Sequence, residues 1–165
     1  MAKIQVEHPL RLCSTEPPHV HCIPANKDSL EVTLKAAGVK HHDKVNLADC
    51  GNLEDAFNAI MIGLGLPYRK LNYDAFLDVM MGPSPIVPIK AWIIVVSNAH
   101  HFFKRSSAGF GELTSVLNLV GSKWAKPVTG GDEGEGFSRA PVAFHVLLPV
   151  DEGVSLPLPK LTLSH

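Results

Sequence analysis

Two uninterrupted apolar runs constrain this chain more than any other feature. Residues 91–97 read Ala-Trp-Ile-Ile-Val-Val-Ser and residues 141–148 read Pro-Val-Ala-Phe-His-Val-Leu-Leu. A strand with one wet face alternates apolar and polar residues; these do not, so both read as strands buried on both faces. Helical stripes accompany them. Phe110, Leu113, Leu117, Val120 and Trp124 make one stripe between the two runs. Leu53, Ala56, Phe57, Ile60, Met61 and Leu64 trace a second, behind the capping residue Asn52. Asp55 holds its third helical position, where negative charge suits the helix dipole. Gly63 and Gly65 let that helix end, and Pro67 prevents it from continuing. A further helix opens behind Asn72, with Tyr73, Phe76, Leu77 and Met80 at i, i+3, i+4 and i+7. That spacing puts the four on one face, which is expected to be buried.

The remaining segments are weaker in pattern. Residues 44–50 alternate loosely and end at Gly51, as a strand would. Residues 20–24 read as a brief strand, and Asp28-Ser29 and Gly38 bracket a short helix over 29–37, for which the β-branched Val32 and Thr33 make a strand the competing reading. Ahead of these lie a short strand at 4–6 and a break at Pro17-Pro18. Residues 82–88, with Pro83, Pro85 and Pro88, form a stiff connection that excludes helix. The glycine-rich, acidic stretch 129–139 reads as a mobile loop, and the tail from Pro149 as surface-lying or loose. Apolar strands separated by helices predict an α/β fold: a small, mainly parallel, three- to four-stranded sheet covered by helices. The chain divides into an extension (1–18), a single domain (19–149) and a tail (150–165). Within the domain, 19–43 is an added strand–helix unit and 44–149 the core.

Composition narrows function mainly by exclusion. A hydrophobic fraction of 45% with 19% charged residues is that of a folded domain. Net charge is −1 with histidines neutral, so no global field points to nucleic acid or a membrane surface, and any electrostatic role must be local. Three cysteines make no disulfide framework. With no apolar leader and no membrane-length run, cytoplasmic residence is the default expectation. Residues 130–136 are glycine-rich but acidic, and they lack the lysine of a phosphate loop. Gly63 and Gly65 close a helix, whereas a dinucleotide site needs them between a strand and a helix. Cys13, His19, His21 and Cys22, and the pairs His41-His42 and His100-His101, offer ligand atoms without zinc-site spacing. Cys50 follows Asp49 at a strand end but has no nucleophile-elbow motif around it. No cofactor, metal or catalytic residue is expected.

One feature is left over. Asp74 and Asp78 sit four apart beside the apolar face of their helix, a spacing that costs about 0.2–0.5 kcal/mol by repulsion. The first turn of the helix partly offsets this for Asp74, but no lysine or arginine on the helix relieves the pair. It reads as a solvated face, as carboxylates for acid–base work, or as a surface awaiting a basic partner. Catalytic acids occupy concave sites beside a candidate base, and this outer helix face offers neither.

Leu66-Pro67-Tyr68, a short loop, and then Asn72-Tyr73-Asp74-Ala75-Phe76-Leu77-Asp78 resemble the barstar family, whose members carry Leu-Pro, aromatic residues and Asn-x-Asp-Ala-x-x-Asp. Strand 44–51, helix 52–64, the buried strand, helix 110–124 and the final strand match that family's elements in order. The resemblance covers roughly 44–149, and the 20–38 unit is similar to an extension of longer barstar-like proteins. It implies a non-enzymatic, barstar-like inhibitor or immunity protein, monomeric when free, that blocks a ribonuclease-type nuclease toxin without touching nucleic acid or a membrane. The implied partner-binding residues are Tyr68, Asn72, Tyr73, Asp74, Leu77 and Asp78, with Asp78 in the place of a substrate phosphate. A phosphate-binding cleft is basic, and carboxylates mimic its ligand. The chain departs from the family pattern in places. Arg69-Lys70-Leu71 stands where a glycine usually precedes the asparagine, and the loop is one residue shorter. Leu77 replaces a frequent aromatic, and residues 120–123 (Val-Gly-Ser-Lys) lack the acid that the last helix usually brings. These departures point to a toxin other than the family's guanyl-specific ribonuclease. Two other readings stand beside this one: an interaction module with a non-nuclease partner, and a small hydrolase using the histidines and a metal.

Overall fold

A computed structural model describes residues 8–9, 12–25, 27–39, 41–82, 91–127, 140–159 and 161–162. The expected strand at 4–6, the connection at 83–88 and the whole stretch 129–139 lie outside these residues. In chain order the elements are β1 (His8–Pro9), β2 (Val20–Pro24), α1 (Lys27–Ala36), β3 (Asp43–Asn46), α2 (Leu53–Gly63), α3 (Tyr73–Met81), β4 (Ala91–Ser97), α4 (Ala99–Arg105), α5 (Ser107–Trp124), β5 (Ala143–Val150) and β6 (Leu161–Thr162). Four strands form one parallel sheet in the order β2-β5-β4-β3, and β1 and β6 pair separately. The α/β architecture read from the sequence is the one found.

The two apolar runs become the central strands β4 and β5, with Ile93 opposite His145 and Ile94 opposite Val146. Burial on both faces follows from the strand order. From β3 to β4 to β5 the chain steps across the sheet in one direction, with α2–α3 and α4–α5 as crossovers. The β2-to-β3 crossover spans the sheet the opposite way. Right-handed crossovers therefore put α1 on the face opposite the other helices. The side chains agree. Ile94, Val96, Trp92, Phe144 and Val146 share one core with residues of α2, α3, α4 and α5. Ile93, Val95 and Leu147 meet Leu12, Ile23 and Leu34 in a second. Leu12 and α1, with Ala37 and Val39 after it, are thus the cover of the sheet's second face.

Local chemistry sets the ends of α2. Asn52 Oδ1 accepts from the Asp55 amide at 2.9 Å. At the other end the Leu66 amide reaches Met61 O (2.9 Å) and the Gly65 amide reaches Ile62 O (3.0 Å), with Gly65 at φ +69°. This paired closure needs a left-handed residue, which glycine supplies without strain. Gly63 has a different task. A β-carbon there would stand 2.5 Å from Lys44 O, so its absence lets α2 press against β3.

Four elements differ from the sequence reading. Strand 44–50 shortens to β3, and residues 47–50 turn away with Leu47 and Cys50 buried. α1 begins two residues before the predicted start at 29. The 99–105 helix was not predicted. The tail, expected to lie on the surface or loose, instead buries Leu156 at 8% exposure, and Pro159 O accepts from the Cys22 amide at 2.9 Å. That bond satisfies a donor on the outer edge of β2.

Candidate functional site

The conspicuous surface is α3 with the loop before it. Asn72 Oδ1 caps the helix by accepting from the Ala75 amide at 2.8 Å. Phe76 stacks on Phe57 of α2 with ring centroids 4.0 Å apart and planes 9° from parallel. Met80 is buried one turn later, and its carbonyl accepts from Trp124 Nε1 of α5 at 2.8 Å. Two neighbouring helices therefore hold α3 at both ends. Leu77 is half-buried against the same core.

Tyr73 does not join that buried face; it is 40% exposed. Helical side chains lean toward the N-terminus, so a residue in the first turn extends past the end of the helix and over the loop. Phe76 and Met80 have helix beneath them, whereas Tyr73 does not. Tyr68 is 47% exposed in that loop. Asp74 and Asp78 are exposed, and among the described residues neither carboxylate has a hydrogen bond or ion pair. The structure thus brings Tyr68, Tyr73, Asp74 and Asp78 to the surface of one docked unit. Asn72 is also exposed, with its side-chain oxygen committed to the cap.

The basic pair in the loop divides its labour. Arg69 folds back, its Nη1 donating to Leu66 O (2.7 Å) and Tyr68 O (2.6 Å). It ties the turn with its own guanidinium. Lys70 adopts φ +54°, the left-handed region that disfavours a β-carbon, and its amide donates to Asn58 Oδ1 of α2 at 2.7 Å. Nothing in the sequence marks Asn58 for this role, because it interrupts no stripe and belongs to no motif. It is nevertheless the residue that fixes the loop to α2.

Other candidates resolve into structure. Burial pushes the Cys50 thiol up to about 11, with Asp55 and Asp49 adding to the effect, so it is no nucleophile at neutral pH. Arg105 Nη1 donates to Ala48 O and, at 3.4 Å, to Cys50 O, pinning the turn after β3. The rings of His100 and His101 lie 4.1 Å apart on a helix, tilted 38° to each other. Among the described residues no group of three His, Cys, Asp or Glu side chains is arranged to hold a metal ion.

A family model described as Barstar (barnase inhibitor) matches residues 41–148, from just before β3 into β5, and the chain belongs to that family. No curated protein and no solved structure matches it. The acidic helix and its loop lie inside the matched stretch, while β2, α1 and the tail lie outside it. Among the described residues no helix is long and apolar enough to cross a membrane.

Proposed function

We propose that this chain is a non-enzymatic inhibitor or immunity protein that binds and blocks a ribonuclease-type toxin. Its docking surface is α3 and the loop before it, with Asp74 and Asp78 facing a basic cleft, Tyr68 and Tyr73 packing at its rim, and Leu77 and Asn72 completing the contact. The observation that carries this reading is the exposed acid pair without a partner among the described residues, on a helix anchored at both ends, in a member of a family described by inhibition of barnase. Anchoring matters because a preorganised surface loses little entropy on binding. Carboxylates held where a substrate phosphate would sit satisfy the same donors as that phosphate. In this reading the chain is a cytoplasmic monomer until it meets its toxin, and it needs no cofactor.

Recovery of the partner from the native cell tests the reading. The wild-type chain is expected to co-purify with a nuclease and to suppress its RNA cleavage at equal concentration. A folded Asp74→Ala, Asp78→Ala double variant is expected to do neither. If the double variant still protects cells and still captures the nuclease, the docking surface is wrong. If the captured partner has no nuclease activity, the reading of an interaction module with another partner replaces this one.

A further inference from the structure

Away from α3, three imidazoles are buried together where the first segment of the chain lies on the sheet. His19 and His21 come from the start of β2 and His145 from β5, and all three side chains are almost wholly inaccessible. The ring centroids of His21 and His145 are 5.4 Å apart, and those of His19 and His145 6.2 Å. His145 Nε2 lies 2.8 Å from Ser14 O, and His145 Nδ1 lies 3.2 Å from His21 Nε2. His19 Nδ1 lies 3.2 Å from Phe144 O.

These contacts fix the protons. A carbonyl oxygen only accepts, so His145 carries its hydrogen on Nε2 and donates to Ser14. A neutral imidazole has one N–H, which leaves His145 Nδ1 as an acceptor. His21 must then donate from Nε2. The result is a directed chain from β2 through β5 to the 12–16 segment. Adding a proton to His145 places an N–H on Nδ1 as well, so the central bond persists only if His21 shifts its own proton from Nε2 to Nδ1, and a full charge is then buried in the cluster.

Around His19 and His145 the described residues offer a charge no compensation. Segment 12–18 brings the Ser14 carbonyl, and β4 brings Ile93 opposite His145. α5 brings Gly121 and Asn118, the latter accepting from the His19 amide at 3.0 Å. The titratable groups facing His145 among the described residues are the other two histidines. Among the described residues no carboxylate, lysine or arginine acts on His19 or His145.

We propose that His19, His21 and His145 form an acid-sensitive clasp, closed when all three are neutral, whose protonation releases residues 12–18 from the sheet and uncovers the face lined by Ile93, Val95 and Leu147. Leu12 is seated in that apolar cluster, so release of the segment exposes both partners. The direction of the pH effect follows from linkage. Burial holds His19 and His145 below their ordinary 6.5 in the closed form, and in the released form they return to it. The released state therefore takes up protons first. The clasp is fully effective above pH 6.5 and weakens as pH falls below it, by up to about tenfold in its closing equilibrium per pH unit for each of His19 and His145, until the closed form itself takes up the proton.

Hydrogen exchange of the full chain, corrected for the intrinsic pH dependence of exchange, reads this directly. Between pH 7.5 and 5.0 the protection of amides in 12–16 is expected to fall at least tenfold more than that of α2. In His145→Gln, whose side chain cannot titrate, that excess loss is expected to shrink to the share contributed by His19. A parallel fall in both regions, or an unchanged excess loss in the variant, overturns the clasp. Should the variant not fold, nitrogen NMR of the wild-type imidazoles decides instead. The clasp requires the Nε2–H form of His145 at pH 7.5 and a midpoint below 6.5; the Nδ1–H form or an ordinary midpoint refutes it.

Discussion

Replacing Lys70 with glycine is expected to make the protein more stable, although it removes a side chain from the middle of the candidate docking loop. Lys70 is held at φ +54°, and an L-residue with a β-carbon pays about 1–2 kcal/mol for that region. Glycine escapes the clash but is freer in the unfolded chain, which returns about 0.4–1 kcal/mol. The bond from the residue-70 amide to Asn58 Oδ1, 2.7 Å long, uses only backbone and survives the change. The net gain is about 0.5–1 kcal/mol, and with a urea slope of about 2 kcal/mol per molar the midpoint rises by about 0.3–0.5 M. Lys70→Ala is the control. It removes the charge but keeps the β-carbon and its strain, so its midpoint should stay within about 0.5 kcal/mol of wild type. Equal gains from Ala and Gly would show that relief of charge, not backbone strain, is responsible. A loss of stability in Lys70→Gly would show that the lysine side chain itself supports the fold. Either result refutes the strain argument.

Asn72→Ala should lose about 1 kcal/mol through the missing cap, whereas Asn72→Ser, which still caps, should lose little in urea denaturation. Any binding defect left in the serine variant then belongs to the interface and not to the helix. Gly63→Ala sets a β-carbon 2.5 Å from Lys44 O and should cost about 1–3 kcal/mol, read as a lower thermal midpoint; no loss would mean that α2 does not press on β3. With a disulfide reagent at pH 8, exposed Cys13 should react promptly and buried Cys22 and Cys50 only after denaturation. Cys50, at about 11 when folded and 9.0 in its ordinary state, should also cost stability as pH rises between those values, because the unfolded chain ionises first.

Much of the fold was legible because its signals are periodic and local. The runs at 91–97 and 141–148 became the two central strands, and the stripes headed by Leu53 and Phe110 became α2 and α5. α4 escaped notice because its start carries no mark: Asn98 sits at φ +60° and makes no side-chain cap bond, and the buried Ala99 and Phe102 are too few for a stripe. The tail escaped because beyond β5 Leu156, one leucine among prolines, is its sole buried residue among the described residues. The placement of α1 is a property of strand order. No local pattern reveals that β2 and β3 occupy opposite edges, from which the second apolar face and its cover both follow.

The candidate site was legible in part, for the same reason. Asn72 as cap, and Phe76 and Met80 as the buried line of α3, come straight from spacing. Tyr73 was misplaced because a periodicity argument extends a helical face to its first residue, where there is no preceding turn to cover. The inward fold of Arg69 and the grip of Asn58 on Lys70 are tertiary contacts with no sequence signature. They matter for function. Read from the sequence, Arg69 and Lys70 are two cations opposed to a basic cleft; in the structure one of them is committed to its own loop.

In the proposed function Asp74 and Asp78 are held outward for a basic partner. The sharpest test is a titration of the chain against the nuclease expected to co-purify with it, following RNA cleavage at low and at physiological salt. Inhibition at equal concentration is expected for the wild type. The Asp74→Ala, Asp78→Ala variant, with urea stability within about 1 kcal/mol of wild type, should bind at least 100-fold more weakly, since each truncated charge contact costs about 2–5 kcal/mol on a scale set by barnase and barstar themselves. The association rate of the wild type should also fall with salt. Undiminished inhibition by the folded double variant, or an association rate indifferent to salt, would contradict the account.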